Sequence, residues 1–362
     1  MSYAASLATQ KSDSEMLLGF WYPALRSAQL RGRELQAAIL LGIPLVLGRD
    51  VQCCVFALRD NCPHRGMPLS FGHFDGETLE CGYHGWRFEP RSGQCREIPS
   101  LTSDSPLKVE RIFASAYPCK EQDGYVWVYV ADPAARDQAV PPVPRLPVFS
   151  PRYRLTHLSV DLPCSADHGI MGLLDPAHGP YVHQSWFWRK RGTLQEKEKA
   201  YEPIPNGFRM LPHPPSPNSL PYKLLRLYGH PVATTIEFVL PNIRIEEIHC
   251  GPYWFCNRVT VTPLTSDRCR MDFCAAWNLL PWMPLVVTLF RQFARAFLRQ
   301  DQRAMERLAV GLKHKPGTML VDDADRPIKW YLQLKAAYLE SQGNGTPLKH
   351  PLSGPVTLRW RS

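Results

Sequence analysis

The amino-acid sequence predicts an α+β chain, in which a small all-β domain precedes a larger domain of mixed strands and helix. Three observations carry that expectation. Between "FWYPAL" (20–25) and about Asp132, short runs rich in β-branched and aromatic residues ("AAILLGIPLVLG", "CCVFAL", "YVWVYV") alternate with glycine and charged turns. A proline-rich stretch, "PPVPRLPVFSP" (141–151), then interrupts any regular element. Beyond it, strands such as "RIEEIH" and "RMDFCAAW" lead to one long helical pattern from about Leu289 to Leu312. The expected organisation is a mobile tail over 1–17, the β domain over 18–132, a linker over 133–151, the second domain over 152–350 and a C-terminal tail over 351–362.

With 362 residues, 44% of them hydrophobic, the chain is long and apolar enough for two cores. The net charge of +9 comes without a long basic run or a nucleic-acid motif, so nucleic acid is not an expected partner. "RKRG" (189–192) reads either as a solvated loop or as a docking point for an acidic partner. Residues 1–20 lack the basic start and apolar core of a secretory leader. The longest apolar stretch, "WNLLPWMPLVVTLF" (277–290), contains two prolines and falls short of the roughly 18 apolar residues of a spanning helix. It reads as core or, with Met171 and Trp186, as the wall of an apolar pocket, in preference to a membrane contact. Eleven cysteines, unevenly spaced, argue for a reducing, cytoplasmic compartment rather than a disulfide framework. Cys53, Cys54, Cys164 and Cys274 read as small core residues.

Cys62 and Cys81 are different, because each has a histidine within three residues: Cys62 with His64, Cys81 with His84. Two thiolates and two imidazoles suit structural zinc, and they equally suit a Rieske [2Fe–2S] cluster, in which two cysteines hold one iron and two histidines the other. A zinc finger normally pairs like with like. Here each short loop supplies one ligand of each kind, the arrangement two loops need to clasp two irons from opposite sides. Gly66, Gly82, Gly85 and Pro68 let those loops turn tightly. "CPHRG…CGYHGW" resembles the motif C-x-H-x(15–17)-C-x2-H of the Rieske non-haem iron oxygenases. That resemblance makes Cys62 and Cys81 the thiolate ligands and His64 and His84 the imidazole ligands.

In "GLLDPAHGPYVHQ" (172–184), His178 and His183 stand five apart, with Gly179 and Pro180 between them to break the helix and bring the second ring back. Two histidines and a carboxylate form the ligand set of non-haem Fe(II) oxygenases. On a helical wheel of 290–312, Phe290, Phe293, Ala294, Phe297, Ala304, Met305, Leu308 and Leu312 form one stripe, opposite Arg295, Arg299, Gln302, Arg303 and Glu306. Asp301 falls within the apolar stripe, where a carboxylate must be metal-bound or held in a buried salt bridge. Asp322, Asp323 and Asp325 lie in "VDDADRP", which reads as a solvated turn.

The second motif resembles the same family's D-x2-H-x4-H element, and "RQDQRAME" is similar to the late helix that carries its third ligand, Asp301 here. By the resemblance, Asp175 is catalytic, linking His84 of one subunit to His178 of the next; as a plain structural residue it reads as a helix N-cap. The family's asparagine three residues before this aspartate is Gly172 here, which implies room for a bulkier substrate. His168 reads as a satisfied histidine of a loop or core.

The resemblance implies an N-terminal Rieske domain followed by a helix-grip (START-like) catalytic domain with an antiparallel sheet. It implies a terminal oxygenase with a [2Fe–2S] Rieske cluster, mononuclear non-haem Fe(II) and O2 as co-substrate, fed from NAD(P)H by a separate flavin reductase or ferredoxin. The expected reaction is hydroxylation or oxidative demethylation of a hydrophobic, aromatic or polycyclic substrate, as in the branch that includes pheophorbide and vanillate oxygenases. Ring cis-dihydroxylation, or electron transfer without a catalytic iron, are the alternatives. Since one subunit's cluster serves the next subunit's iron in this family, a head-to-tail homotrimer is implied.

Overall fold

The computed structural model describes residues 16–133, 139–150, 152–183, 194–214, 225, 228–279, 285–314 and 316–362. Residues 1–15 of the expected tail, Trp186, the "RKRG" run and residues 280–284 of the apolar stretch lie outside the described residues. The chain divides into two compact units, with one boundary between Val148 and Phe149.

The first unit is all β. Its strands are β1 (Phe20–Arg26), β2 (Gln36–Leu40), β3 (Ile43–Arg49), β4 (Val55–Arg59), β5 (His73–Phe74), β6 (Leu79–Glu80), β7 (Arg87–Phe88), β8 (Cys95–Glu97), β9 (Ala116–Tyr117), β10 (Cys119–Gln122) and β11 (Tyr125–Val130). They form three antiparallel sheets, ordered β1-β11-β10, β2-β3-β4-β9 and β5-β6-β7-β8. β11, "YVWVYV", is buried along its whole length, as its unbroken apolar run requires. It turns back on β10 through Asp123-Gly124, both at positive φ (53° and 84°), the backbone a two-residue hairpin needs.

The expected linker packs against this unit. Trp21 Nε1 donates to the Pro141 carbonyl (2.7 Å), Gln122 Nε2 donates to that of Pro144 (3.1 Å), and Val143 and Leu146 are buried. Proline carbonyls remain good acceptors although proline has no N–H, so a segment unfit for a sheet still docks on one. Cys53 and Cys54 are exposed, not core: they form the turn between β3 and β4, where Cys53 has φ 61° and the Cys54 N–H donates to Asp50 Oδ1. Turn geometry outweighs their apolar character there. Cys164 and Cys274 are buried.

The second unit is built on one eight-stranded antiparallel sheet. Its strands are β12 (Arg154–Leu162), β13 (Glu196–Ile204), β14 (Gly207–His213), β15 (Val232–Val239), β16 (Ile243–Cys250), β17 (Tyr253–Thr265), β18 (Arg268–Trp277) and β19 (Val356–Arg361), in the order β12-β18-β17-β16-β15-β14-β13-β19. The described helices are α1 (Ala166–Leu174), α2 (Gly179–Val182), α3 (Leu285–Leu312) and α4 (Arg326–Asn344). No described helix is long and apolar enough to cross a membrane.

Residues 351–362, expected as a tail, carry β19, which pairs with β13 from Glu196↔Arg361 to Tyr201↔Val356. The alternation Val-Thr-Leu-Arg-Trp-Arg explains it: Leu358 and Trp360 share a face and are buried. The helices pack on one face of the sheet. Tyr331 of α4 meets Phe238, Trp330 meets Tyr201 and Phe208, and Phe290 of α3 meets Phe255 and Trp277. Gly169 of α1 lies so close to Val261 and Cys269 that a Cβ would fall 2.9 Å from each side chain, so this contact requires glycine. α1 is also tied to α4 by a buried ion pair, Lys335 Nζ donating to Asp167 at 2.6 Å, with the Tyr331 hydroxyl on the other carboxylate oxygen.

Candidate metal centres

The loops at 62–67 and 81–86 repeat one backbone design. In each, the cysteine N–H donates five residues on, Cys62 to Met67 O and Cys81 to Trp86 O, both at 2.8 Å. In each, the cysteine carbonyl accepts from a glycine four residues on, Gly66 at 2.8 Å and Gly85 at 3.0 Å. Both glycines sit at positive φ, 76° and 69°, which is why the motif needs glycine there. The thiols point inward, with Cys62 and Cys81 each 2% exposed, whereas His64 is exposed and His84 half-buried. The histidine rings meet edge to face at 4.6 Å.

Burial above all pushes the Cys62 thiol up to about 11; the backbone N–H groups of His64 and Arg65 oppose that shift, and nearby Cys81 reinforces it. Those N–H groups stabilise sulfur once it carries negative charge, the state a bound iron requires. Two inward sulfurs under backbone donors, with two imidazoles beside them, fit a two-iron cluster. Partial loss of solvent, with the His84 ring and the Arg65 guanidinium nearby, holds the exposed His64 ring below the ordinary histidine value.

Three supports of this tip have no motif signature. Trp86 lies flat on His64, ring centroids 4.6 Å apart and planes 5° from parallel. Tyr83 contacts His84 at 3.8 Å. Asp60, buried at the end of β4, accepts from the Ser70 N–H (2.7 Å) and hydroxyl (2.6 Å), pinning the far end of the first loop.

At the second site, α2 is a single helical turn between His178 and His183, with Pro180 in its first turn. The turn swings both rings to one side, and their Nε2 atoms stand 3.2 Å apart. Asp301, half-buried on α3, completes the group: its Oδ1 is 3.2 Å from His183 Nε2 and 3.9 Å from His178 Nε2. One ligand atom from each of the three residues lies within 4.8 Å of the others. Each imidazole is turned by an acceptor on its other nitrogen. His178 Nδ1 donates to the Asp175 carbonyl (2.7 Å), and His183 Nδ1 donates to Gln300 Oε1 (3.1 Å). With the proton held on Nδ1, both Nε2 lone pairs face Asp301, the arrangement a metal needs. His183 is also stacked on Phe297, centroids 3.6 Å apart.

Several expectations meet corrections here. Asp175 is not an N-cap. It closes the C-terminus of α1, its N–H donating to Met171 O (3.0 Å), and its Oδ1 accepts from the Ala177 N–H (2.7 Å). Proline at 176 ends the preceding helix instead of starting the next. The Asp175 carboxylate stands 3.8 Å from His178 Nδ1, since its own backbone carbonyl takes that hydrogen bond. Gly172 does not open a space: a Cβ there would sit 3.0 Å from Met305 Cε, so a methionine of α3 occupies the room. The stripe on α3 is shallower than the wheel suggests: of its residues only Ala294 is fully buried and Leu308 is exposed, while Leu298, outside the stripe, is buried. His168 is satisfied by Ser165 Oγ at 2.8 Å. The sequence reading missed Gln300; a glutamine beside a charged residue on a helix carries no signal of its own.

The chain is similar to known proteins in sequence and in fold. The family described as the Rieske [2Fe-2S] domain matches residues 20–117. The chain is 37% identical over 307 residues to the chloroplastic chlorophyllide a oxygenase of Chlamydomonas reinhardtii, covering 82% of this chain and 44% of that protein. It is 29% identical over 185 residues to the 5,5'-dehydrodivanillate O-demethylase oxygenase subunit of Sphingobium sp., covering 49% and 41%. The crystal structure of dicamba monooxygenase bound to dicamba superposes with a TM-score of 0.70 at 22% identity, over 89% of this chain and 98% of that one, and so shares its fold. The chain spans about half the length of the curated relatives it matches.

Proposed function

We propose, from the premise that the chain belongs to the Rieske-type oxygenases, that it is the terminal oxygenase of a multicomponent system. The observation that carries this is the meeting of His178, His183 and Asp301 in a chain that also bears a Rieske domain. Cys62, Cys81, His64 and His84 hold the cluster, and the other three residues hold the iron. The bound metals supply one-electron transfer and O2 activation. The protein's own part is to orient and exclude. Asp175 and Gln300 hold the two imidazole protons on Nδ1, and Phe297 covers the face of His183 against water. On this reading the Asp175 side chain, which leaves the hydrogen bond of His178 to its own carbonyl, accepts from His84 of a neighbouring copy in a head-to-tail homotrimer.

Electrons come from NAD(P)H through a separate flavin reductase or ferredoxin, and the compartment is cytoplasmic. The substrate is hydrophobic and aromatic or polycyclic, and the reaction is hydroxylation or oxidative demethylation; a relative named as an O-demethylase oxygenase subunit supports this choice. The test is iron and acid-labile sulfide content, with electron paramagnetic resonance of the reduced protein, compared with Asp301→Ala. The expected result is about three irons in the wild type, one fewer in the variant, and the same Rieske signal in both. Two irons in the wild type after Fe(II) reconstitution would leave an electron carrier, and zinc without a signal would remove the Rieske centre.

A further inference from the structure

Residues alternate along β17, so Phe255, Asn257, Val259 and Val261 share one face. That face is covered by helices, because Phe255 meets Phe290 of α3 and Val261 lies against Gly169 of α1. Directly across the ladder from Asn257 stand Glu246 of β16 and Ala275 of β18; Ile236 of β15 stands opposite Glu246. One row further along, Thr234 faces Ile248. A helix-covered sheet face is ordinarily apolar, and Phe238, Val259 and Phe273 of the neighbouring row conform, with Arg244 standing between Phe238 and Val259. The polar residues among them need a reason.

Two of them carry buried oxygens without a hydrogen-bond partner among the described residues: Asn257 Oδ1 and Thr234 Oγ1, the latter on a residue only 2% exposed. Each such atom destabilises the fold unless something else satisfies it. Glu246 shares the face, its carboxylate 3.1 Å from Arg244 Nη1 and its side chain 18% exposed. Arg244 balances the charge of Glu246, and the oxygens of this face left without a donor among the described residues are Asn257 Oδ1 and Thr234 Oγ1.

An aromatic series joins this face to the metal-ligand group. His183 stacks on Phe297, which meets Phe293 at 6.4 Å; Phe293 meets Phe290 at 6.4 Å, and Phe290 meets Phe255 at 5.7 Å. None of the three α3 phenylalanines is fully buried. Flat, half-covered rings in sequence suit an apolar planar body.

We infer that Asn257, with Glu246 and Thr234, forms a recognition site for a neutral hydrogen-bond-donating group on the substrate, whose apolar body lies along Phe290, Phe293 and Phe297 toward His183. This deepens the oxygenase reading and rests on it. The site selects a hydroxyl or N–H over a carboxylate, since the unpartnered Asn257 Oδ1 accepts a hydrogen bond from the first and meets only lone pairs on the second, while Arg244 is already engaged by Glu246.

The test is binding of two probes with one ring system, 2-naphthol and 2-naphthoate, to the iron-loaded full chain by titration calorimetry. Wild type is expected to bind 2-naphthol at least about tenfold more tightly. Asn257→Leu should weaken 2-naphthol about tenfold and leave 2-naphthoate unchanged, and Glu246→Gln should narrow the preference severalfold by improving 2-naphthoate. Iron content certifies each variant's second domain, and Asn257→Ser replaces Asn257→Leu if the latter loses its iron. Equal affinity for the two probes, no binding of either, or an unchanged ratio in the variants overturns the inference. The oxygenase reading fails separately: a wild type with two irons that still prefers 2-naphthol, through Asn257, keeps the binding site and loses the iron.

Discussion

Cys62, His64, Cys81 and His84 come from two short loops within 23 residues of each other, whereas His183 reaches its partner Gln300 across 117 positions of chain. The first group is held by hydrogen bonds that span four or five residues, repeated in both loops, and its histidines face outward. The second is held by a helix turn and a separate long helix, and His183 is buried. A local motif carries its own geometry and survives as a sequence signature. A remote one borrows its geometry from the sheet and helices beneath it, so its supports are scattered and anonymous.

The variant with the largest expected effect is the one that separates the two regions functionally. Asp175→Asn keeps an acceptor for the Ala177 N–H, so both metals should remain at wild-type content. Turnover and reoxidation of the reduced cluster should nonetheless slow by roughly two orders of magnitude, since an amide is a weaker acceptor than a carboxylate for a metal-bound imidazole. Rapid-mixing absorbance of the cluster reports this, and wild-type kinetics would remove the bridging role of Asp175. Next, Gln300→Leu removes the acceptor on His183 Nδ1. Fe(II) affinity at the second site should fall about 10–100-fold while the Rieske signal stays unchanged; an equilibrium metal titration decides it.

The reverse dissection is Asp60→Ala. It leaves the Ser70 N–H and hydroxyl without their acceptor and should destabilise the first unit by about 1–3 kcal/mol in denaturant unfolding followed by the visible absorbance of the cluster, with the second iron untouched. Loss of both metals in parallel would break the independence of the two regions. The smallest effect is an acid limit on the first unit alone. Asp75 is held down at about 2, first by the N–H groups of Thr78 and Glu77, below its ordinary 3.8. A carboxyl lowered on folding contributes stability above its unfolded value and loses it as pH falls through the folded one, so the contribution fades between about pH 4 and about pH 2. Asp75 is exposed and screened, so the step is small, and Asp75→Asn should flatten it in an acid titration of the cluster absorbance.

The β character of the first unit, the two loops and the His178/His183 pair were legible because strand alternation, positive-φ glycines and close ligand spacing are all properties of a few consecutive residues. Asp301 was legible for a partly different reason than its burial now supplies: the helix leaves it half-buried, and its position beside His183 Nε2 is what marks it. α4 carries buried Trp330, Tyr331 and Leu334, yet drew no expectation, because its apolar residues cluster without the clean periodicity of α3.

The sequence by itself determined the ligand types, the fold class and the glycines that let the cluster loops close, because those depend on covalent geometry and on contacts within one turn of chain. Only the tertiary structure decided which helix face meets His183, that Gln300 and not a charged neighbour turns its ring, that Met305 fills the space beside Gly172, and that the last residues add a strand to the sheet. Those outcomes depend on strand register and helix rotation. A slip of one residue in either moves every side chain to another face, and nothing within a short stretch of sequence records where the partner strand or helix stands.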